Sequence, residues 1–191
     1  MKIGIIVGSI REGRRGRGVG QWVLAHAANR PDADYELIDL KEHDVPLFTS
    51  SVSPAVAGRA YEDPAVQRWS AAIDACDAFI FVTPEYNHGV PGAFKNAVDS
   101  LGPEWRNKPV AFVSYGADGG VRAVEQWRQI VANFQMFGIR SAIALGMFTD
   151  FAGDGSVAAI DRRAAEAETM LSDLETAVAR LAAPAADALV G

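Results

Sequence analysis

The sequence holds a single cysteine, Cys76, so no internal disulfide can form, and the pattern fits a reducing compartment. Its three histidines, His26, His43 and His88, are scattered, and with one cysteine they cannot build a zinc site of ordinary composition. No apolar run approaches the ~20 residues needed to cross a bilayer. The N-terminus shows no cationic start, apolar stretch or cleavage site, so a cytoplasmic protein is expected. Basic residues are in the minority. Eighteen Lys and Arg against 24 Asp and Glu leave a net charge of −6, which speaks against a general nucleic-acid binder. Two familiar phosphate-binding signatures are missing as well. No Gly-Lys-Ser/Thr follows the first glycine-rich loop, which sets aside P-loop hydrolases, and no proper G-x-G-x-x-G stands there. A phospho-acceptor receiver would need acids just after the first strand, where this chain has Gly8-Ser9.

What is there is a chain of 191 residues, 49% hydrophobic, sized for one domain from end to end with a sizeable core. Only the Ala-rich tail from Ala182 onward is biased in composition. Lys2–Gly8 is a nearly continuous apolar run, the mark of a central strand buried on both faces. Tyr35–Leu40, Ala78–Val82, Pro109–Ser114 and Ile139–Leu145 read as four more strands. Helices are predicted from about Gly16 to before Pro31, and over Pro64–Ala75, Gly92–Leu101, Val121–Phe137 and Val157–Leu181. Gly138 is taken as the cap of the fourth, and Lys41–Gly58 as irregular. Strands alternating with helices describe an α/β fold, a doubly wound parallel sheet of order 2-1-3-4-5 with helices on both faces. In that order the switch point lies between the first and third strands, so the loops after them meet, with the fourth loop beside them.

Those loops carry unusual residues. The first, from Gly8 to Gly20, is rich in glycine and has Ser9, Arg11, Arg14, Arg15 and Arg17 against one acid, Glu12. Backbone N–H groups, a helix N-terminus, a hydroxyl and a guanidinium suit a phosphate; a solvated basic turn is the plainer alternative. Asp39 sits about where a dinucleotide fold keeps its ribose-binding acid, yet without the glycine spacing it reads as an ordinary strand-end carboxylate. The third loop, Pro84-Glu85-Tyr86-Asn87-His88-Gly89, is aromatic and amide rather than ionic, and so fits a flat, polar-edged ligand better than a metal. Glu85 offers a general acid or a turn-forming carboxylate; Tyr86 a stacking ring or a packed one; Asn87 a donor and acceptor for a ring edge or a turn former. No Ser, Cys or Asp forms a triad with His88, which argues against catalysis by it. Lys95 and Asn96 read as helix residues. In the fourth loop, Gly116, Gly119 and Gly120 would let the backbone approach a planar ligand, or simply turn the chain.

Three motifs together carry a resemblance. Gly8-Ser9-Ile10-Arg11, the P-E-Y-N-x-G-x-P-G-x-x-K-N-x-x-D pattern at Pro84–Asp99 and S-Y-G-A-D-G-G-V-R-A at Ser114–Ala123 resemble the NADPH-dependent FMN reductase family, which includes flavodoxin-like quinone, azo-dye and chromate reductases. The likeness spans roughly residues 2–145, and Leu37–Leu47 also looks like the family's second strand and its exit. It implies a flavodoxin-like fold holding FMN without a covalent bond. It also implies transfer of hydride from NADPH or NADH to the flavin, and of two electrons onward to a quinone, free flavin or similar small acceptor. No protein nucleophile is required. By motif, Ser9 and Arg11 would hold the phosphate with backbone groups up to Gly16. Pro84, Glu85, Tyr86 and Asn87 would line the isoalloxazine, and Ser114, Gly116 and Gly119 its far edge. Where many members carry serine and asparagine late in the first loop, this chain has Arg14 and Gly16, so Arg14 or Arg15 is expected to supply that phosphate contact. Dimers or tetramers are common in the family, and neither nucleic acid nor membrane is an expected partner.

Overall fold

A computed structural model describes residues 1–182; the tail beyond Ala182 lies outside the described residues. Five strands, β1 (Lys2–Val7), β2 (Asp34–Asp39), β3 (Ala78–Pro84), β4 (Pro109–Gly116) and β5 (Phe137–Gly146), form one sheet of order β2-β1-β3-β4-β5. Every pairing is parallel. The helices are α1 (Gly16–Ala27), α2 (Leu40–His43), α3 (Pro54–Ala57), α4 (Pro64–Asp74), α5 (Gly92–Asp99), α6 (Val121–Ala132) and α7 (Asp161–Ala182). The expected flavodoxin-like sheet is therefore present. The two four-residue helices α2 and α3 are additions, in a stretch read as irregular except for Leu40, which was assigned to the second strand.

The alternating side chains of the central strands feed two cores, as the two-residue period of a strand requires. Ile3, Ile5, Ile80, Val82 and Val113 pack under α1 and α7, against Val19, Val23, Met170 and Leu174. Ile6, Phe79, Phe81 and Phe112 face the other way, against Trp69 of α4, Phe94 of α5 and Trp127 of α6. Trp69, Trp105 and Trp127 are fully buried, and each indole N–H donates to an acceptor: Ala97 O, Val98 O and Thr83 Oγ1. Cys76 is buried too, and burial pushes its thiol up to about 11, so it is a packing residue. Asn96 does structural work, accepting from the Phe48 amide and donating to Pro46 O.

Two helix boundaries differ from expectation by four residues or more, while α4 and α5 end one and two residues early. The helix α6 stops at Ala132, five residues early, and Gly138 belongs to β5 rather than capping a helix. Gln135 takes the left-handed conformation (φ 58°), and the Met136 amide reaches back to Val131 O at 3.2 Å. Phe134 still packs on the core, so the apolar spacing continued past the helix that produced it. The final helix starts at Asp161, because Val157 is drawn into a bridge with Phe151.

The strand β5 lies at the sheet's edge and carries a bulge. Val110 pairs with Gly138 and Phe112 with Ala142, so Ile139, Arg140 and Ser141 stand opposite Ala111 alone. Arg128 of α6 donates to the carbonyls of Ile139 (2.9 Å) and Arg140 (3.3 Å), with its guanidinium over the Phe112 ring. Among the described residues no helix is long and apolar enough to cross a membrane, and no group of three metal-ligating side chains occurs.

Candidate functional site

The carboxyl ends of β1, β3 and β4 release three loops side by side, and β2 and β5 flank them. In the first loop Ser9 is buried, and its hydroxyl lies 2.7 Å from that of Tyr86 in the third. Arg11 is exposed and stands over the Tyr86 ring, 5.5 Å from its centroid. Arg15 reaches away to the fifth loop, donating to Met147 O at 3.2 Å with its guanidinium over Phe151. Arg14 is nearly buried and donates to Asp39 at 2.5 Å.

Helix α1 begins at Gly16 with no side-chain cap and no acid in its first turn, so its leading N–H groups and dipole favour an anion. A side chain at Gly16 would force its neighbours to shift: a β-carbon there would lie 2.7 Å from the Tyr115 hydroxyl and 3.3 Å from Val7. Tyr115 comes from β4 and is 4% exposed. Its hydroxyl has no hydrogen-bond partner, and neither has Nε of Arg14; both atoms are buried. Burial, reinforced by the neighbouring Tyr86 phenol, raises the Tyr115 hydroxyl above its ordinary value, while the nearby Ser9 hydroxyl (outside hydrogen-bonding geometry, since it pairs with Tyr86), Arg14 and Arg11 pull it back. Two unsatisfied buried polar groups at an uncapped helix start are what a ligand phosphate would complete.

The third loop leaves β3 at Pro84, whose Cα pairs with Tyr115. Tyr86 and Gly89 exchange both backbone hydrogen bonds at 3.0 Å around Asn87 (φ 50°) and His88 (φ 68°), a tight turn with two left-handed central residues. Asn87 and His88 are exposed at its tip. Gln126 of α6 straps the turn, donating to His88 O and accepting from the Val90 amide. Glu85 is turned to the side, where its carboxylate accepts from the backbone and side chain of Arg122.

The fourth loop is built for itself as much as for a ligand. Ser114 is buried, and its hydroxyl donates to Gly119 O at 2.6 Å, supporting the loop from beneath. Gly119 and Gly120 have φ of 75° and 77°, and a β-carbon on Gly120 would lie 2.9 Å from that of Ser114. Gly116 accepts from the amides of Gly119 and Met147, and a β-carbon on it would approach Gly120 N at 3.3 Å. Internal packing is thus enough to require these glycines. In the fifth loop Asp150, nearly buried, binds the Gly146 amide, Thr149 and Arg163, and the Arg163 guanidinium holds its carboxyl down to about 2.

The residues singled out in the sequence therefore share one sheet edge. Hydrogen bonds join the first loop to the third (Ser9 to Tyr86), the third to the fourth (the Glu85 amide to Tyr115 O, 3.1 Å) and the first to the fifth. They differ in posture. Arg11 and Asn87 are exposed, Ser9 and Tyr86 are tied to each other and Gly16 is buried; Arg14 is held by Asp39, Glu85 by Arg122 and Ser114 by Gly119, while Arg15 leans toward the fifth loop. Tyr115, Arg122 and Gln126 were not singled out, and Asp39, the arginine partner, was read only as an ordinary strand-end carboxylate. Only Tyr115 had a readable signal, since strand alternation turns it opposite to Ser114, toward α1.

Comparison with known proteins gives a consistent picture. The family described as NADPH-dependent FMN reductase matches residues 1–150. An NAD(P)H-dependent FMN reductase of Nectria sp is 42% identical over 129 residues, which cover 65% of this chain and just under two thirds, 64%, of that relative. An NAD(P)H-dependent FMN reductase of Saccharomyces cerevisiae is 34% identical over 145 residues, covering 71% of this chain and 76% of the yeast protein. Among solved structures, the flavoenzyme NAD(P)H:(acceptor) oxidoreductase of Paracoccus denitrificans superposes with a TM-score of 0.70 at 21% identity. It covers 94% of this chain and 96% of that one, a likeness of fold.

Proposed function

This chain belongs to the NADPH-dependent FMN reductase family, and from that premise we propose that it is an NAD(P)H oxidoreductase. It uses FMN to reduce a quinone, a free flavin or a similar small acceptor. One observation carries the reading. The buried, partnerless Tyr115 hydroxyl stands against Gly16 at the uncapped start of α1, and the buried, partnerless Nε of Arg14 lies two residues before it in the loop that carries Ser9, the partner of Tyr86. That donor set fits a phosphate monoester, and the neighbouring turn of exposed Asn87 with Tyr86 fits a flat ring with polar edges.

In this reading Ser9, Arg11, Arg14, Tyr115 and the first amides of α1 hold the phosphate. Arg15 acts on loop five instead, keeping Met147 and Phe151 against the site. Pro84, Glu85, Tyr86 and Asn87 shape the ring's bed, with Glu85 fixing the third loop to α6 and the Asn87 amide offering donors to the ring edge. Ser114, Gly116 and Gly119 form the opposite wall through the loop they build. When bound, FMN supplies the two-electron chemistry, so the protein's own part is to bind, orient and exclude water. His88 faces solvent with its backbone carbonyl tied to Gln126, and no acid–base role falls to it.

The assembly we propose is a homodimer or homotetramer in a reducing, cytoplasmic setting. The exposed Leu47, Phe48, Val52 and Val56 on one excursion support a self-association surface, and the lone buried cysteine supports the compartment. The deciding experiment is the visible spectrum of the purified protein, followed by NADPH and NADH oxidation with a quinone. Yellow protein that oxidises either nicotinamide is expected. Colourless protein that takes up no added FMN would overturn the reading, and a flavin-loaded protein without turnover would make it an electron carrier.

A further inference from the structure

Asp39 is the last residue of β2, registered opposite Val7 and so level with the start of the first loop. It is 4% exposed, although a lone buried carboxylate is costly. Three groups converge on it. Arg14 donates at 2.5 Å and Arg17 at 3.0 Å, both to Oδ2, while Oδ1 accepts from the Lys41 amide at 3.2 Å and so caps α2. Around this centre Arg17 also pairs with Glu42, and Lys41 with Glu12 of the first loop. The loop is thereby pinned to the end of β2 from both sides of its bend.

The Arg14 side chain is the consequential member. One terminal nitrogen is fixed by Asp39, while Nε is buried without a partner on the loop leading into Gly16, the position that the hydroxyl of Tyr115, 4% exposed and also unpartnered, stands against. A guanidinium gripped at one corner presents its remaining N–H groups in a set direction, as its planar fork demands. We propose that Asp39 is a positioning residue for the flavin phosphate: it fixes the Arg14 guanidinium so that Nε–H is aimed at the phosphate before the ligand arrives. This rests on FMN being the ligand of the site.

The proposal can be separated from a plain charge effect because the two have opposite signs. Asp39 is an anion near a bound dianion, so removing its charge should tighten phosphate binding by Coulomb's law alone. Loss of positioning should weaken it. The test titrates apo protein with FMN and with riboflavin, which lacks the phosphate, following flavin fluorescence. Asp39→Asn is expected to weaken FMN roughly tenfold, the worth of one hydrogen bond to a charged group, and to leave riboflavin unchanged. Arg14→Gln is expected to do the same, and the double variant to be no weaker than Arg14→Gln, since the two residues act as one unit. Unchanged or tighter FMN binding by Asp39→Asn overturns the proposal. So does an equal loss of riboflavin, or a full further loss in the Arg14→Gln background. Should Asp39→Asn not fold, Asp39→Glu, which keeps the charge and shifts the grip, is read the same way. Wild-type protein that binds neither flavin would instead overturn the FMN reading itself.

Discussion

The carboxylate of Glu85 grips Arg122 in two places, accepting at 2.6 Å from the side-chain Nε and at 3.0 Å from the backbone amide. Arg122 is the second residue of α6, so this clasp fastens the third loop to the helix that follows the fourth. Arg122 also pairs with Asp118, which raises its pKa further above an already high value. Glu85 is therefore an anchor rather than a free acid.

Replacing Glu85 with Gln keeps the shape but loses the charge. FMN is expected to dissociate on the order of tenfold faster, in line with one weakened charge-assisted bond, while far-ultraviolet circular dichroism is unchanged. Stopped-flow release of flavin is the measurement. A collapse of turnover with normal flavin retention would mean that the carboxyl acts in the chemistry instead.

Tyr115 gives a prediction with two signs. In the apo protein Tyr115→Phe removes a buried hydroxyl that has no partner, and stability should rise by about 1 kcal/mol in urea titrations. FMN affinity should fall at the same time. Gly16→Ala should cost roughly 1–3 kcal/mol by forcing a β-carbon against that hydroxyl, and Tyr115→Phe should recover part of the loss. Independent, additive effects of the two changes would show that the contact does not matter.

His88 is held at φ 68° and points into solvent. His88→Gly relieves a left-handed β-carbon at the expense of unfolded-chain freedom, for a net change within about 1 kcal/mol. Turnover should stay within about twofold of wild type, because an exposed imidazole with no side chain orienting it is poorly placed for proton transfer. A drop in kcat beyond that range, with full flavin content, would restore His88 to the mechanism.

The acid limb of stability should carry the mark of Asp150. Arg163 holds its carboxyl near 2, against about 3.9 in an unfolded chain. A depressed acid stabilises the fold above the unfolded value and loses that contribution as pH falls through the folded one. About 2 kcal/mol present at pH 7 should therefore disappear between roughly pH 5 and pH 2. Asp150→Asn, which leaves the buried Arg163 with Glu166 as its remaining ion pair, should be less stable at neutral pH and converge on wild type near pH 2. Parallel urea midpoints across that range are the check.

How far the sequence could be read depended on whether a constraint was local. Both-face burial wrote β1, β3 and β4 as unbroken apolar runs, and their order followed from the alternation of elements. The end of α6 was hidden, because Phe134 keeps the apolar spacing beyond the helix and a glutamine, not a glycine, takes the left-handed turn. The arginines of the first loop were visible, but not their anchor. Arg14 and Asp39 lie 25 residues apart, and nothing in either segment says that they touch. The fourth loop's glycines were read either as an approach for a planar ligand or as a plain turn, and the sequence could not show that Ser114 crowds Gly120 and Ala144 crowds Gly119.

The bulge in β5 reaches beyond local geometry. An exposed outer strand is an open invitation to stacking with other chains, and a flat one would let this sheet grow into a ribbon. Here three residues crowd opposite one, and a guanidinium from the overlying helix is fastened to two of the displaced carbonyls. A newcomer strand would find no regular ladder to copy along that stretch. Fibre-like growth is discouraged at the margin where it would otherwise begin.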